Sequence, residues 1–373
     1  KRQGDKEIQA YAIETDGSLT VIDSDPVIAG IQPQTFSLVS SAAFNPLNRD
    51  VYLVNLDTIS VDRYARDPGN GLLTPVDSTP IANATLSVGS SAGLYVEPMG
   101  RFGYVRLANN LIAGFQIDSN DGSLTPIDYD GVTPDIQHFD FGANANSIQH
   151  IGFEPSGNFV YFGFTAAGPD TLEKYRIDQT SGELTRSGVQ TELNHILGLG
   201  NVADMAFSTR NGVAAPQPTF AYSRDGAGSI GIHQIDPATA VMTNIGNFAT
   251  PNNQALFVDP AFQYLYLAEA SQFARVRIDP DTGALSDRET RANGQPYGYS
   301  TGRQGLRFEP HNRFAVQTKS NGQGMDFMQV VTGGLGTAST APEFGQDPYT
   351  LTGTIGASSV RPNSRHIYST CLL

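Results

Sequence analysis

One short phrase returns seven times along this chain: an apolar residue, a spacer, Pro, a few polar positions, then apolar-x-Tyr or its equivalent. It reads FNPLNRDVY from Phe44, VEPMGRFGY from Val96, FEPSGNFVY from Phe153, VDPAFQYLY from Val258, FEPHNRFAV from Phe308 and VRPNSRHIY from Val360. A degenerate copy, FSTRNG from Phe207, has its Tyr displaced to Tyr222 by an insertion. The anchors Pro46, Pro98, Pro155, Thr209, Pro260, Pro310 and Pro362 stand roughly 50 to 57 residues apart, the period of a propeller or array unit.

A second phrase runs in step behind the first. It appears as AIETDGSLT from Ala12, ARDPGNGLLT from Ala65, QIDSNDGSLT from Gln116, RIDQTSGELT from Arg176, QIDPATAVMT from Gln234 and RIDPDTGALS from Arg277, with VVTGGLGT from Val330 as a weak copy. Each is an alternating apolar run, an Asp/Gly/Ser/Thr cluster, then Leu-Thr and more alternation. That pattern predicts two antiparallel strands joined by a short hairpin, because Gly accepts the positive φ such turns need. Each full unit then holds about four strands in a meander, which is one blade.

The two ends complete each other. KEIQAYAIETDGSLTVID from Lys6 is the second half of a unit, and SSVRPNSRHIYSTCLL from Ser358 is a first half. Joining them removes the unpaired strand edges an open array would expose. The expected fold is an all-β, seven-bladed β-propeller with four-stranded antiparallel blades. It is read as a single domain over 1–373, its ring closed by a blade of about 350–373 plus 1–25.

Composition narrows the function classes. Gly 39 and Pro 22 punctuate the chain too often for long helices. No run approaches the length of a membrane span, so none is expected. A net charge of −14 argues against nucleic-acid binding, which needs a basic footprint. Charged residues make up only 16%, and Lys1, Lys6, Lys174 and Lys319 are the only lysines. A surface rich in neutral polar groups fits a periplasmic or extracellular protein. The chain starts at Lys, which a removed leader or trimming explains equally. The single Cys371 excludes an internal disulfide and multi-Cys metal motifs. His138, His195, His233, His311 and His366 are scattered, so neither a metal nor any other cofactor is expected.

The apolar-x-Pro phrase followed by Ile-Asp, Gly and Leu-Thr resembles the YVTN-type propellers. VYLVNLDTISVDRYARDPGNGLLTPVDS and LYLAEASQFARVRIDPDTGALS resemble most closely the lactonase branch, which holds bacterial 6-phosphogluconolactonases and fungal carboxymuconate-lactonizing enzymes. The resemblance spans the whole chain and implies a site in the central channel, built from His, Arg and acidic residues at the inner ends of several blades. One family element is Pro-Arg-His ahead of the Pro phrase. Here SIQHIGFEPSGNFVYFGF keeps His150 but has Ile148 and Gln149 in place of Pro-Arg, and Phe162-Gly163-Phe164 where an acidic residue is expected. A second family Arg falls on Gln304, with Arg303 beside it. Lys319 and Glu269 occupy slots after the Tyr strand where other members carry Asn, Asp or Arg.

His150 is the candidate general base toward water at a lactone carbonyl. Its alternative is a polar inner-strand residue bonded to a neighbouring blade. Arg303 and Arg307, four apart on one strand face, are candidates to hold a carboxylate or phosphate, with Gln149 and Gln304 as further substrate contacts. Inter-blade ion pairing is the competing reading for the arginines, and for Arg106 and Lys319. Glu97, Glu154, Asp259 and Glu309 recur at one blade position, which favours a structural role. The Asp clusters near Asp118 and Asp279 read as turn caps rather than calcium loops. The fourth unit is irregular, and Asp204 and Met205 ahead of its insertion are expected near the channel. The segment from Asp130 to Asn146 reads as a long connection carrying His138.

Two functions are consistent with these residues. The first is an exported binding or assembly propeller with an incomplete catalytic set. The second is a metal-independent lactone hydrolase or isomerase with its site in the channel. The partner is accordingly a small-molecule lactone or a protein.

Overall fold

The repeating phrases become strands in the order their polarity dictates. The computed structural model describes residues 6–13, 19–21, 43–45, 50–55, 58–67, 71–81, 94–107, 111–129, 138–141, 148–164, 171–190, 204–208, 219–224, 229–250, 253–259, 262–269, 272–292, 306–308, 314–318, 325–331, 334–335, 354–360 and 366–372. The first strands are β1 (Lys6–Ile13) and β2 (Leu19–Val21). Blade 1 holds β3 (Ala43–Phe44), β4 (Asp50–Asn55), β5 (Ser60–Arg66) and β6 (Leu73–Pro80). Blade 2 holds β7 (Leu94–Val96), β8 (Phe102–Arg106), β9 (Leu111–Ile117), β10 (Leu124–Pro126) and β11 (His138–Asp140). Blade 3 holds β12 (Ile148–Phe153), β13 (Phe159–Phe164), β14 (Thr171–Ile177) and β15 (Leu184–Gln190). Blade 4 holds β16 (Asp204–Ser208), β17 (Thr219–Arg224), β18 (Ser229–Ile235) and β19 (Met242–Ala249). Blade 5 holds β20 (Asn253–Val258), β21 (Tyr264–Glu269), β22 (Gln272–Ile278) and β23 (Leu285–Ala292). Blade 6 holds β24 (Leu306–Phe308), β25 (Phe314–Thr318), β26 (Met325–Val331) and β27 (Gly334–Leu335). The last strands are β28 (Thr354–Val360) and β29 (His366–Leu372).

Each sheet is an antiparallel meander, and the seventh runs β2-β1-β29-β28. Ala10 pairs with Tyr368 and Tyr11 with Ile367, so the two ends of the chain share one blade as the split repeat requires. The fold is a seven-bladed β-propeller. The first strands of successive blades neighbour one another: β3 and β7, β12 and β16, β16 and β20, β24 and β28.

Blade 2 departs from the expected plan. Residues 138–140, read from sequence as part of a connection, pair with β9 at Ala113, Ile112 and Leu111. Since β10 covers only Ile117 to Phe115, the outer strand of this blade comes in two pieces. Phe139 and Phe141 hold the second piece by edge-on ring contacts to Tyr175, at 5.1 and 5.2 Å between centroids. Such pairs add to the apolar burial they accompany.

The core lies in the seams between blades. Tyr52, Val54 and Val61 of blade 1 pack with Leu94, Val105 and Phe115 of blade 2. Phe102 and Tyr104 of blade 2 meet Val160, Phe162 and Tyr175 of blade 3. Tyr161 and Leu172 of blade 3 meet Met205 and Met242 of blade 4. Phe220 and Tyr222 of blade 4 meet Leu256, Leu265 and Val276 of blade 5.

One contact recurs in every one of these seams. The repeat tyrosine, wholly buried, donates its hydroxyl to a hairpin carbonyl of the next blade: Tyr52 to Gly122, Tyr104 to Gly182, Tyr161 to Ala240 and Tyr222 to Gly283, at 2.5 to 3.1 Å. The accepting residue is always the last of its turn and has positive φ, from 52° at Ala240 to 79° at Gly182. Glycine takes that conformation without strain. It is also demanded by space, since a Cβ on Gly283 would stand 2.5 Å from the Phe220 ring and one on Gly182 would strike Phe102. The Asp that opens each turn accepts backbone N–H groups. Asp178 Oδ1 takes Thr180 and Ser181, Asp236 Oδ1 takes Ala238 and Thr239, and Asp279 Oδ1 takes Asp281 and Thr282.

The acids before the repeat prolines do the same work on the first turn of a blade. Glu97, fully buried, accepts from the Met99 and Arg101 amides at 2.7 Å, and Asp259 accepts from Gln263 and Tyr264. Their recurrence is structural.

Two substitutions test these contacts. Tyr104→Phe leaves the Gly182 carbonyl buried without its donor and should cost about 1 to 3 kcal/mol. Gly182→Ala adds a clash and left-handed strain and should cost about 3 kcal/mol or more, both read as shifts in the urea midpoint. In addition, the turn amides hold Asp178, Asp236 and Asp279 below the ordinary carboxylate value of 3.8. Their contribution is present above 3.8 and disappears as pH falls through the lower folded values. A triple Asp→Ala variant should therefore show a shallower acid limb in stability against pH than the parent.

Candidate functional site

His150 lies on β12, where the ladder to β13 breaks register: Ile148 faces Phe164, and the next paired residue, His150, faces Gly163. A bulge of this kind opposes two residues to one and re-aims the side chains beyond it. Its effect is visible in the packing. Ile148 and Ile151, three apart, are both buried in the seam toward blade 2, which a regular strand would not allow. His150 falls on the other side with Gly152. A Cβ built on Gly152 would meet the Phe207 ring at 2.6 Å and His150 Nε2 at 2.8 Å. The imidazole is half-buried, its Nε2 enclosed in the seam between blades 3 and 4.

The other candidates are dispersed over several blades. Gln149 is the extra residue of the β12 bulge. Arg307 pairs with Val316 in the β24–β25 ladder. Arg303, Gln304 and Lys319 lie outside the described residues. Arg106 is buried at the end of β8, across from Ile112. Asp204 opens β16 opposite Arg224. Met205 does not line the channel. It is 5% exposed and packs with Tyr161 and Leu172 in the seam toward blade 3, because neighbouring residues on a strand face opposite ways.

The structure also shows polar side chains that sequence reasoning passed over. Arg63 is buried, reaches Asp50 at 3.3 Å and Asp77 at 2.6 Å, and donates to the Asp121 carbonyl of blade 2. Its hydrogen bond to Asp77 raises the guanidinium pKa still further. Lys174 donates to the Thr239 carbonyl of blade 4 at 2.6 Å, with its own pKa lowered by burial. Arg275 lies 4.2 Å over the Tyr264 ring and bonds Glu289. All three sit across the ladder from a repeat tyrosine: Tyr52, Tyr161 and Tyr266. That shared register was the available signal. Arg63 and Lys174 are inter-blade ties, while the Arg275 contacts to Tyr264 and Glu289 lie in its own blade. In blade 2 the position is Gly114, and the Tyr129 hydroxyl stands 2.5 Å from where its Cβ would be. His233 is wholly buried and shares a 2.8 Å hydrogen bond with Ser223 Oγ. Among the described residues, no three His, Cys, Asp or Glu side chains cluster as metal ligands would, and no helix is long and apolar enough to cross a membrane.

Comparison with known proteins agrees with this architecture. Residues 41–197 match the family model described as lactonase, 7-bladed beta-propeller, a stretch that covers blades 1 to 3 and includes His150. No curated protein gives a significant sequence match. Among solved structures, a functionally unknown protein from Desulfotomaculum acetoxidans aligns with TM-score 0.59 at 13% identity, over 86% of this chain and 92% of its own. The periplasmic gluconolactonase of Pseudomonas aeruginosa gives 0.58 at 16% identity, over 87% and 92%. A putative 6-phosphogluconolactonase from Bacteroides fragilis gives 0.57 at 14%, over 87% and 91%. In fold this chain is a seven-bladed β-propeller, and over residues 41–197 its sequence is similar to the lactonase family of such propellers.

The enclosed seam around His150 makes a direct prediction. Gly152→Ala should drive the Phe207 ring and the imidazole apart and destabilise the protein by about 1 to 3 kcal/mol in urea titration. It should also shift the His150 ring resonances in NMR spectra.

Proposed function

We propose that this chain is an exported propeller that binds a ligand or partner without turning it over. The observation that carries this reading is the enclosure of His150 Nε2 beside Gly152 and Phe207. A general base must come within hydrogen-bond reach of the proton it removes, directly or through one water. Nε2, packed into the seam, does not offer that reach. The replacement of the family's Arg by Gln149 supports the same reading, since a neutral amide does not clamp a carboxylate or phosphate as a guanidinium does. Export is supported by the low charged fraction of 16%. The periplasmic location named for the gluconolactonase it resembles in fold points the same way.

A second reading has its own observation. The family match over residues 41–197 contains His150, and two structural neighbours are named as a gluconolactonase and a putative 6-phosphogluconolactonase. On that reading the chain hydrolyses a lactone in its channel, with His150 as base and Arg303 or Arg307 holding an anionic group.

Hydrolysis of a panel of small lactones, including a phosphorylated sugar lactone, separates the two. The binding reading expects wild type and His150→Ala to match the buffer rate while both remain folded and monodisperse. Turnover by wild type that collapses in His150→Ala would establish the hydrolase instead.

A further inference from the structure

The outer strand of each blade ends its sheet, so its far edge presents backbone N–H and C=O groups ready to pair with another chain. Folded proteins guard such edges with charge, proline, bulges or short strands. A bulge is common here: the outer ladders of β6, β15, β19 and β23 all break register near the middle. The other guards are not shared. β6 carries Asp77 between Pro75 and Pro80, β15 carries Arg186, and β23 is charged at most positions from Asp287 to Arg291. In blade 2 the outer edge is split into β10 and β11, while β2 and β27 are three and two residues long. Among the described outer strands of 7 residues or more, only β19, MTNIGNFA, has neither charge nor proline.

This strand is also open to solvent. Thr243, Ile245, Asn247 and Ala249 are exposed along it. Ile245, at 44%, and Val241 just before the strand, at 41%, are among the few large apolar side chains left exposed in the described residues. Past the bulge, Gly246 to Ala249 pair in unbroken register with Ile232 to Ser229, so the backbone there is regular. We propose that this edge pairs with the β19 edge of a second copy of the chain, antiparallel about a two-fold axis. In such a contact each partner offers the same surface, so a charged edge sets like charges against each other. The neutral edge of β19 escapes that repulsion, and it offers nothing to draw a charged partner instead. Asn247, in the regular stretch, suits its own mate because an amide both donates and accepts. Each copy carries a net charge of −14, so the attraction is local and works against repulsion between the two bodies.

Sedimentation velocity from about 10 µM to about 1 mM protein tests the pairing. Wild type should pass from monomer to dimer over this range, and more readily in about 0.5 M NaCl, which screens the repulsion between the bodies. Asn247→Lys and Asn247→Glu each bring like charges together and should weaken the dimer about ten-fold or more. An equal mixture of the two variants should restore it, because opposite charges then meet. Val76→Lys, at the bulge of β6, should leave it unchanged, and thermal unfolding checks that each variant is folded. A wild type that stays monomeric at every concentration and salt overturns the pairing. So does a dimer that both Asn247 variants keep, a mixture that associates no better than its parts, or an equal loss in Val76→Lys.

Discussion

A buried tyrosine hydroxyl donating a hydrogen bond to a carbonyl of the next blade is the contact on which this propeller depends. Each blade is too thin to form a core alone, so its apolar faces are buried only when the next blade lies at the right distance. The hydroxyl sets that distance. It reaches across a seam to a turn whose last residue must adopt positive φ for its carbonyl to be presented. A misplaced blade would leave both the hydroxyl and the carbonyl buried and unsatisfied, a cost comparable to losing several methyl contacts. Turns of the same kind receive Arg63 and Lys174, so a single hairpin gathers apolar, neutral polar and charged contacts from its neighbour.

Much of this was legible in the residues. The recurring Pro-to-Tyr phrase and the Asp-to-Gly phrase are local, and local signals decide strands and turns directly. The split unit at the two ends became one sheet, with Ala10 opposite Tyr368. Glu97 and Asp259 cap turns, in keeping with their recurrence. The phrases do not reveal where the tyrosines reach, because the acceptor is a backbone carbonyl more than a repeat away and leaves no residue type to read. Met205 is buried in a seam with Tyr161 and Leu172 rather than set toward the channel, and burial in a seam depends on a neighbour that sequence does not display.

The candidate site was legible in composition and not in orientation. His150 was recognisable from its place before the Pro phrase. A one-residue bulge then sets which side of the blade it faces, and a bulge is a property of pairing rather than of any residue. The same bulge makes Gln149 an extra residue at the inner strand. One local irregularity thus turns a histidine into a seam between blades.

The four tyrosine contacts among the described residues all run one way, from a blade to the one after it. A ring linked in this manner has a sense of rotation, and its repeats are not interchangeable parts. Ala240 is shaped for Tyr161 in front of it, with Thr239 beside it receiving Lys174, and Gly182 is shaped for Phe102 and Tyr104. Duplicating or exchanging one unit would require remaking two seams, a donor on one side and an acceptor on the other. Units so alike in sequence are therefore bound to their order, and a propeller of this kind diversifies more readily in the residues facing its axis than in the number of its blades.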